Sequence, residues 1–369
     1  MFGKLPRIGL LRLASGFFVL LSLVACNSGS KSLQTGGSPG IIIGAGSTFV
    51  YPVMTRWISR FQSNHPGVQI NYQSIGSGGG IQQLKKGLVD FGASDAALDD
   101  QQLKGMPPLV QIAESAGPVC ITYNLPELKQ ALKLSGPTLA RIYLGKITTW
   151  QDPAIQKDNP GVRISSQNIV VAHRSDGSGT TSIFTSYLAK ISPEWAKQVG
   201  QAIAVNWPTG LGGKGSEGVT GVVKQTPGGI GYVELAYASE NKLPVASIAN
   251  RAGTWVQPTA AGATAAINAF ADDLGKDVRL PIVDPPASAT NAYPISGLTF
   301  LLIPKQGKDA NKSDTVKQFV QYIVTQGQDE AEALFYAKLP NRLEQQGQNL
   351  LAQIGAKGPP AQTQPDAAP

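Results

Sequence analysis

Cysteine and histidine are nearly absent: the 369 residues contain two of each. The histidines, His65 and His173, show no metal-ligand spacing, which removes the usual basis for a zinc hydrolase. No metal, cofactor or catalytic set is expected. There is no Lys/Arg-dense stripe, so a nucleic-acid-binding surface is not indicated. An internal repeat of fixed period is missing, which sets repeat architectures aside. A membrane-spanning stretch is missing as well, because the apolar run from Ser15 through Ala25 is too short for one.

That run follows Lys4, Arg7 and Arg12, and so has the order of a secretory leader. It stops at Leu23-Val24-Ala25-Cys26, which resembles the bacterial lipobox, where the cysteine becomes the first mature residue and carries lipid. An ordinary signal peptide with an unrelated cysteine is the plainer alternative. The expected organisation is a lipoprotein-type signal peptide over 1–25 and a lipid-anchored, flexible Ser/Gly-rich linker over 26–40. A disordered tail is expected over 356–369, whose Pro, Ala and Gln cannot build a core. The location this implies is extracytoplasmic, held to the cell membrane through Cys26. Cys120 is then left without a disulfide partner. Its setting, Pro118-Val119-Cys120-Ile121, points to a buried structural thiol. Without residues 1–25, 28 basic residues stand against 24 acidic ones, a net charge of +4 that mildly favours anions.

The remaining stretch, about 41–355, exceeds the size at which single cores usually split, so two domains are expected. Strand-like and helix-like segments alternate. Ile41-Ile42-Ile43 reads as a strand, Met54, Trp57, Ile58 and Phe61 as one helical face, and Val68–Tyr72 as a strand. Ile81–Leu88 reads as a helix and Val89–Gly92 as a strand. The cycle recurs with a strand at Asn168–Ala172, a helix at Thr180–Lys190 and a strand at Ile230–Val233. Helices are further expected over Ala260–Leu274, Thr315–Val324 and Arg342–Ile354. This order argues for a parallel-sheet α/β fold.

Three glycine-rich corners each follow a strand and lead into a helix: Gly44-Ala45-Gly46-Ser47-Thr48-Phe49, Gly76-Ser77-Gly78-Gly79-Gly80 and Asp176-Gly177-Ser178-Gly179-Thr180-Thr181. Small residues let a ligand approach the backbone. A helix start offers free N–H donors and the positive end of its dipole, and Ser and Thr add hydroxyls. Together these make an anion site without metal. Ordinary N-capping is the alternative for any one of them. Nucleotide motifs fail: Phe49 stands where the third glycine of G-x-G-x-x-G belongs. Around Gly213-Lys214, Pro208 and Gly215 break the triphosphate pattern.

Two charged residues adjoin these corners. Arg174 carries a guanidinium fork suited to a tetrahedral oxyanion, and Asp176 is placed to steady it; a surface ion pair is the alternative. Asp95, in Phe91-Gly92-Ala93-Ser94-Asp95, makes sense beside an anion that keeps a proton. A carboxylate only accepts hydrogen bonds, so it can take one from protonated phosphate but faces sulfate with bare like charge. Capping a helix at Asp95-Ala96-Ala97-Leu98 is the alternative.

Taken together, these residues resemble the PstS family, the substrate-binding proteins of bacterial phosphate ABC transporters. The likeness rests on Gly44–Phe49, Gly76-Ser77, Asp90–Asp95, Ile142–Ile147, Arg174–Thr180, Trp207-Pro208 with Gly210–Gly215, and Gly231–Glu234, and runs from about 43 to 340. It implies a type II periplasmic binding protein fold, two α/β domains joined by a two-crossover hinge. The crossovers fall near Val119-Cys120-Ile121 and Ser296-Gly297-Leu298, giving domain I as 41–118 plus 298–355 and domain II as 119–297. It implies phosphate binding by Thr48, Phe49, Ser77, Asp95, Arg174, Ser178, Gly179 and Thr180, with Asp176 supporting Arg174. It also implies delivery to the membrane permease subunits of an ABC importer by a monomer. The second corner reads Ser77-Gly78 where relatives often have two serines. Alternatives are a receptor for another protonated oxyanion, phosphonate or arsenate, and a secreted phosphatase. Against the latter, no G-x-S-x-G surrounds Ser178.

Overall fold

A computed structural model describes residues 40–164 and 166–355. The expected leader, Cys26 with its lipid, the linker except Gly40, and the 356–369 tail lie outside the described residues. The first half alternates as expected: β1 (Ile41–Gly46), α1 (Tyr51–Asn64), β2 (Gln69–Ser74), α2 (Ser77–Lys85), β3 (Phe91–Ser94), a short α3 (Asp100–Leu103) and the long β4 (Leu109–Tyr123). There follow β5 (Lys133–Leu134), α4 (Gly136–Tyr143), α5 (Pro153–Asp158), β6 (Val170–Arg174), α6 (Gly179–Ile191) and α7 (Pro193–Gln198). Then come β7 (Leu211–Gly213), α8 (Gly215–Gln225), β8 (Gly229–Glu234), α9 (Leu235–Glu240), β9 (Ser247–Ala249) and β10 (Trp255–Val256). The chain closes with α10 (Ala260–Ala269), α11 (Ala271–Leu274), β11 (Ser296–Pro304), α12 (Ala310–Ile323), α13 (Gln328–Ala333) and α14 (Asn341–Leu351).

Two boundaries differ informatively from the sequence reading. Helix α2 begins at Ser77, four residues before the apolar stretch that signalled it, because the glycine corner itself winds into the first turn. The helix expected over Ala260–Leu274 breaks at Phe270, whose N–H turns back to the Ile267 carbonyl at 3.0 Å.

Eight strands form one sheet in the order β2-β1-β3-β11-β4-β8-β6-β7. The pairs β1–β2, β1–β3, β6–β8 and β6–β7 are parallel, whereas β11 is antiparallel to both β3 and β4. Strand β4 ties the halves together. Leu109–Pro118 pairs with β11, and Val119–Tyr123 pairs with β8. The chain thus forms two α/β lobes, and β4 changes partner from β11 to β8 between Pro118 and Val119.

One apolar cluster runs through both lobes. In the first, Met54, Trp57 and Phe61 of α1 are buried, with Phe61 edge-on to Phe319 and the Trp57 indole N–H donating to the Gly327 carbonyl at 2.8 Å. In the second, Tyr143, Phe184, Trp195 and Tyr232 are fully buried, and the Phe184 and Tyr232 rings stack 4.5 Å apart. Burying such rings is the main favourable term holding each lobe. Cys120 is buried and its thiol lies 3.2 Å from the Val233 carbonyl, as a structural cysteine should.

Candidate functional site

All three glycine corners stand at helix starts, and all three face the seam between the lobes. At the second, Gly76 is the N-cap of α2 with φ 82°, a conformation that costs glycine nothing. At the third, the Ser178 hydroxyl oxygen accepts from the Thr181 N–H at 3.1 Å, so Ser178 does cap α6. At the first corner α1 follows Val50 with no side-chain cap, although Ser47 Oγ accepts from the Val50 N–H at 3.3 Å just before it. Asp95–Leu98 is not helical, and α3 is capped by Asp99, whose carboxylate accepts from the Gln102 N–H at 2.7 Å.

Arg174 ends β6 and is 3% exposed. Its Nε and Nη2 donate to the two Asp176 oxygens at 2.8 and 2.6 Å, and Nη1 lies 3.4 Å from Thr180 Oγ1. Asp176 also accepts from the Gly215 N–H at 3.0 Å. Burial acts to raise the Asp176 pKa, but the Arg174 hydrogen bonds and charge outweigh it and hold the carboxyl below its ordinary value. This is a fork-to-fork pair in which Arg174 is buried and Asp176 half-buried; the surface ion pair allowed for in the sequence reading is not what forms.

Asp95 is 5% exposed. Burial pushes its pKa up to about 6, against hydrogen bonds from Ser47 and Thr299, the charge of Arg174 and a hydrogen bond from Ser77. Its Oδ1 is taken by two hydroxyls, Ser47 and Thr299, the latter at 3.1 Å. Oδ2 points toward Gly179 of the opposite lobe, 2.6 Å from where a Cβ there would sit.

The lobes touch directly. Ser77 Oγ accepts from the N–H groups of Gly179 at 3.1 Å and Asp95 at 3.3 Å. The Gly78 N–H donates to the Gly177 carbonyl at 2.9 Å. Thr48 Oγ1 lies 2.9 Å from Ser216 Oγ and accepts from the Ser216 N–H at 3.3 Å. The Tyr237 hydroxyl donates to the Thr48 carbonyl at 2.6 Å. Phe49 is buried, its carbonyl accepts from Tyr336 Oη at 2.6 Å, and its N–H finds no acceptor among the described residues. Beside Asp95 a cavity of about 180 Å³ reaches into the seam between Ile183, Arg279 and Phe300.

Ser77, Asp95 and Gly179 are therefore in mutual contact. Arg174, Asp176 and Thr180 form a second group, bound through Gly215 to the start of α8. Thr48 meets Ser216 of α8 and Tyr237 of α9 from the other side, while Phe49 packs edge-on against Tyr336. Ser47, Ser216, Tyr237, Thr299 and Glu114 were not singled out in the sequence. Ser47 lies within the first glycine corner, and Ser216 directly follows the Gly210–Gly215 stretch. Glu114, a lone acid inside the apolar run Leu109–Tyr123, was a legible signal. Thr299 offers none.

Buried hydroxyl and N–H donors, a clamped guanidinium and one buried carboxylate meet where the two lobes touch, the arrangement of a two-lobed binding protein. Comparison with known proteins gives the family. The PBP superfamily domain matches residues 33–326. Phosphate-binding protein PstS of Xylella fastidiosa (strain Temecula1) is 44% identical over 306 residues, 83% of each chain. Phosphate-binding protein PstS of Haemophilus influenzae is 42% identical over 81% of this chain and 89% of its own. A phosphate-bound, high-affinity periplasmic phosphate-binding protein, PfluDING, superposes with a TM-score of 0.65 at 22% identity, over 86% of this chain and 99% of that one. A phosphate-bound ABC-transporter substrate-binding protein of Clostridium perfringens gives 0.59 at 20% identity, over 81% and 100%. The chain belongs to the PstS family of phosphate-binding proteins, and its fold is that of the type II periplasmic binding proteins.

Proposed function

We propose that the chain binds inorganic phosphate between its lobes, outside the cytoplasm, and hands it to the permease subunits of an ABC importer. The observation that carries this is the meeting of Asp95 and Ser77 with Gly179 across the seam, beside the Asp176-clamped Arg174. Thr48, Phe49 and Ser77 bind from one lobe and Arg174, Ser178, Gly179 and Thr180 from the other, while Asp95 accepts the phosphate proton. Groups on both lobes touch one ligand only when the lobes are closed, so phosphate favours closure by differential affinity. The lobes divide at the crossovers near Val119-Cys120-Ile121 and Ser296-Gly297-Leu298, as 41–118 with 298–355 against 119–297. The working unit is a monomer anchored through lipid on Cys26. Among the described residues no helix is long and apolar enough to cross a membrane.

Phosphonate and arsenate also keep a proton and are the nearest competing ligands. For a phosphatase, Ser178 would need a base. The Ser178 hydroxyl caps α6, whereas His173 stacks on Trp207 at 4.9 Å and sets Nδ1 3.1 Å from the Arg174 carbonyl. This geometry favours binding over hydrolysis.

The test is calorimetric titration of ligand-stripped protein with phosphate and then sulfate. Tight phosphate binding with sulfate excluded is expected. A folded sample that takes up no phosphate sinks the reading.

A further inference from the structure

Strand β4 carries a bulge at one residue. Thr299 of β11 pairs with Ser115 and Phe300 with Ala113, so Glu114 is left over in the ladder. Such a residue re-aims its side chain, and bulges gather beside functional sites. Here the carboxyl of Glu114 is fully buried, with Oε1 3.0 Å from Thr299 Oγ1, the same hydroxyl that lies 3.1 Å from Asp95 Oδ1. Oε2 has no hydrogen-bond partner among the described residues.

Thr299 has one hydroxyl hydrogen and two carboxyl groups reaching for it. If both were ionised, one would lose its donor, and Glu114 would hold a buried charge with nothing to balance it. The titratable groups facing Glu114 are Asp95 from the loop after β3 and Tyr72 from β2, neither of them a cation. Arg174, across the seam, acts on Asp95. A proton on Glu114 resolves the conflict. Oε1–H then donates to Thr299, Thr299 donates to Asp95 Oδ1, and Oε2 becomes a neutral carbonyl oxygen, far less costly to leave unpaired. Burial favours this neutral form and pushes the Glu114 pKa up to about 8.

We propose that Glu114 is a positioning residue for phosphate binding: as a neutral acid behind the site it commits the Thr299 hydrogen to Asp95. Asp95 Oδ2 is thereby left free to take the ligand's proton. Ionised, Glu114 competes for that hydrogen and adds a second negative charge behind an anion site. Affinity therefore falls on the alkaline side. This rests on the reading of the cleft as a phosphate site.

Two measurements test it. Infrared spectra of ligand-free protein with 13C-labelled glutamate report protonated carboxyls directly at pH 7. A labelled acid band that disappears in Glu114→Gln is expected; Glu234, the other fully buried glutamate, is assigned with Glu234→Gln, so that the remaining band is assignable even should Glu114→Gln fail to fold. Phosphate Kd is then compared between wild type and Glu114→Gln from pH 7 to pH 9, the ratio cancelling the titration of phosphate itself. The wild-type Kd is expected to rise about tenfold relative to the variant, as one group with a midpoint near 8 ionises. In a Thr299→Val background that pH-dependent difference should shrink, leaving only the direct effect of the Glu114 charge. A band with no contribution from Glu114, or a ratio flat with pH, overturns the proposal; a Glu114 with only a structural role gives the flat ratio. Wild-type protein that binds no phosphate overturns the ligand reading and this role with it, even with the acid band present.

Discussion

Under the proposed function, Asp95 is the side chain that separates two anions of similar shape. Its ionised carboxylate would accept a hydrogen bond from phosphate and has none to give sulfate. With a pKa near 6, it is ionised at neutral pH and protonated below. Phosphate affinity should therefore weaken about tenfold per pH unit below that midpoint, while the protonated acid becomes a donor and admits sulfate. Asp95→Asn should lose phosphate affinity by about 10- to 100-fold, as expected for one charge-assisted hydrogen bond, and lose the preference over sulfate at every pH. Calorimetry with both anions reads this out. In the absence of ligand the sign reverses: folded Asp95 keeps its proton to higher pH than the unfolded chain does. It costs stability as pH rises from about 4 to 6, a slope that Asp95→Asn should remove in thermal melts. Asp176 acts in the opposite sense. Its lowered pKa gives stability above the unfolded value that is lost as pH falls through the folded one. Arg174→Lys keeps the charge but breaks the fork to Asp176, and phosphate titration should show a loss of about tenfold or more.

Under the proposed function helix starts do two jobs, and a substitution can separate them. Ser178 caps α6 through its hydroxyl, which alone would explain a serine at that position. Glycine at an N-cap costs only a few tenths of a kcal/mol relative to serine, whereas alanine costs about 1 kcal/mol. Ser178→Gly should leave the melting temperature nearly unchanged and reduce phosphate affinity if the hydroxyl binds the ligand. An unchanged affinity would assign Ser178 to capping alone. The short β1 carries a different constraint. Gly46 lies at φ 148° against the backbone of Ala93, so its corner can reach the seam only with a glycine there.

The proposed closure depends on small residues at the seam. A Cβ on Gly179 would lie 2.6 Å from Asp95 Cβ, Asp95 Oδ2 and Ser77 Oγ, all on the opposite lobe. Gly179→Ala should therefore leave each lobe folded, with alanine the better helix former, and hold the lobes apart. Small-angle scattering should show no compaction on adding phosphate, and affinity should fall by at least tenfold. Compaction and affinity equal to wild type would mean that the seam described here is not the liganded geometry.

Local signals carried the sequence reading a long way. Met54, Trp57 and Phe61 marked a buried helical face by spacing alone, and the glycine corners marked three helix starts, because both depend on residues within a turn or two of each other. Arg174 and Asp176, two residues apart, were legible as a pair for the same reason. The pairing of Thr48 with Ser216 across 168 positions, and of Asp95 with Thr299 across 204, has no local signature, since it arises only where the two lobes meet or where β11 returns beside β3. The role of Glu114 needed the structure too. Its residue type stood out, but only the register of β4 against β11 made it the bulged residue and turned its carboxyl onto Thr299.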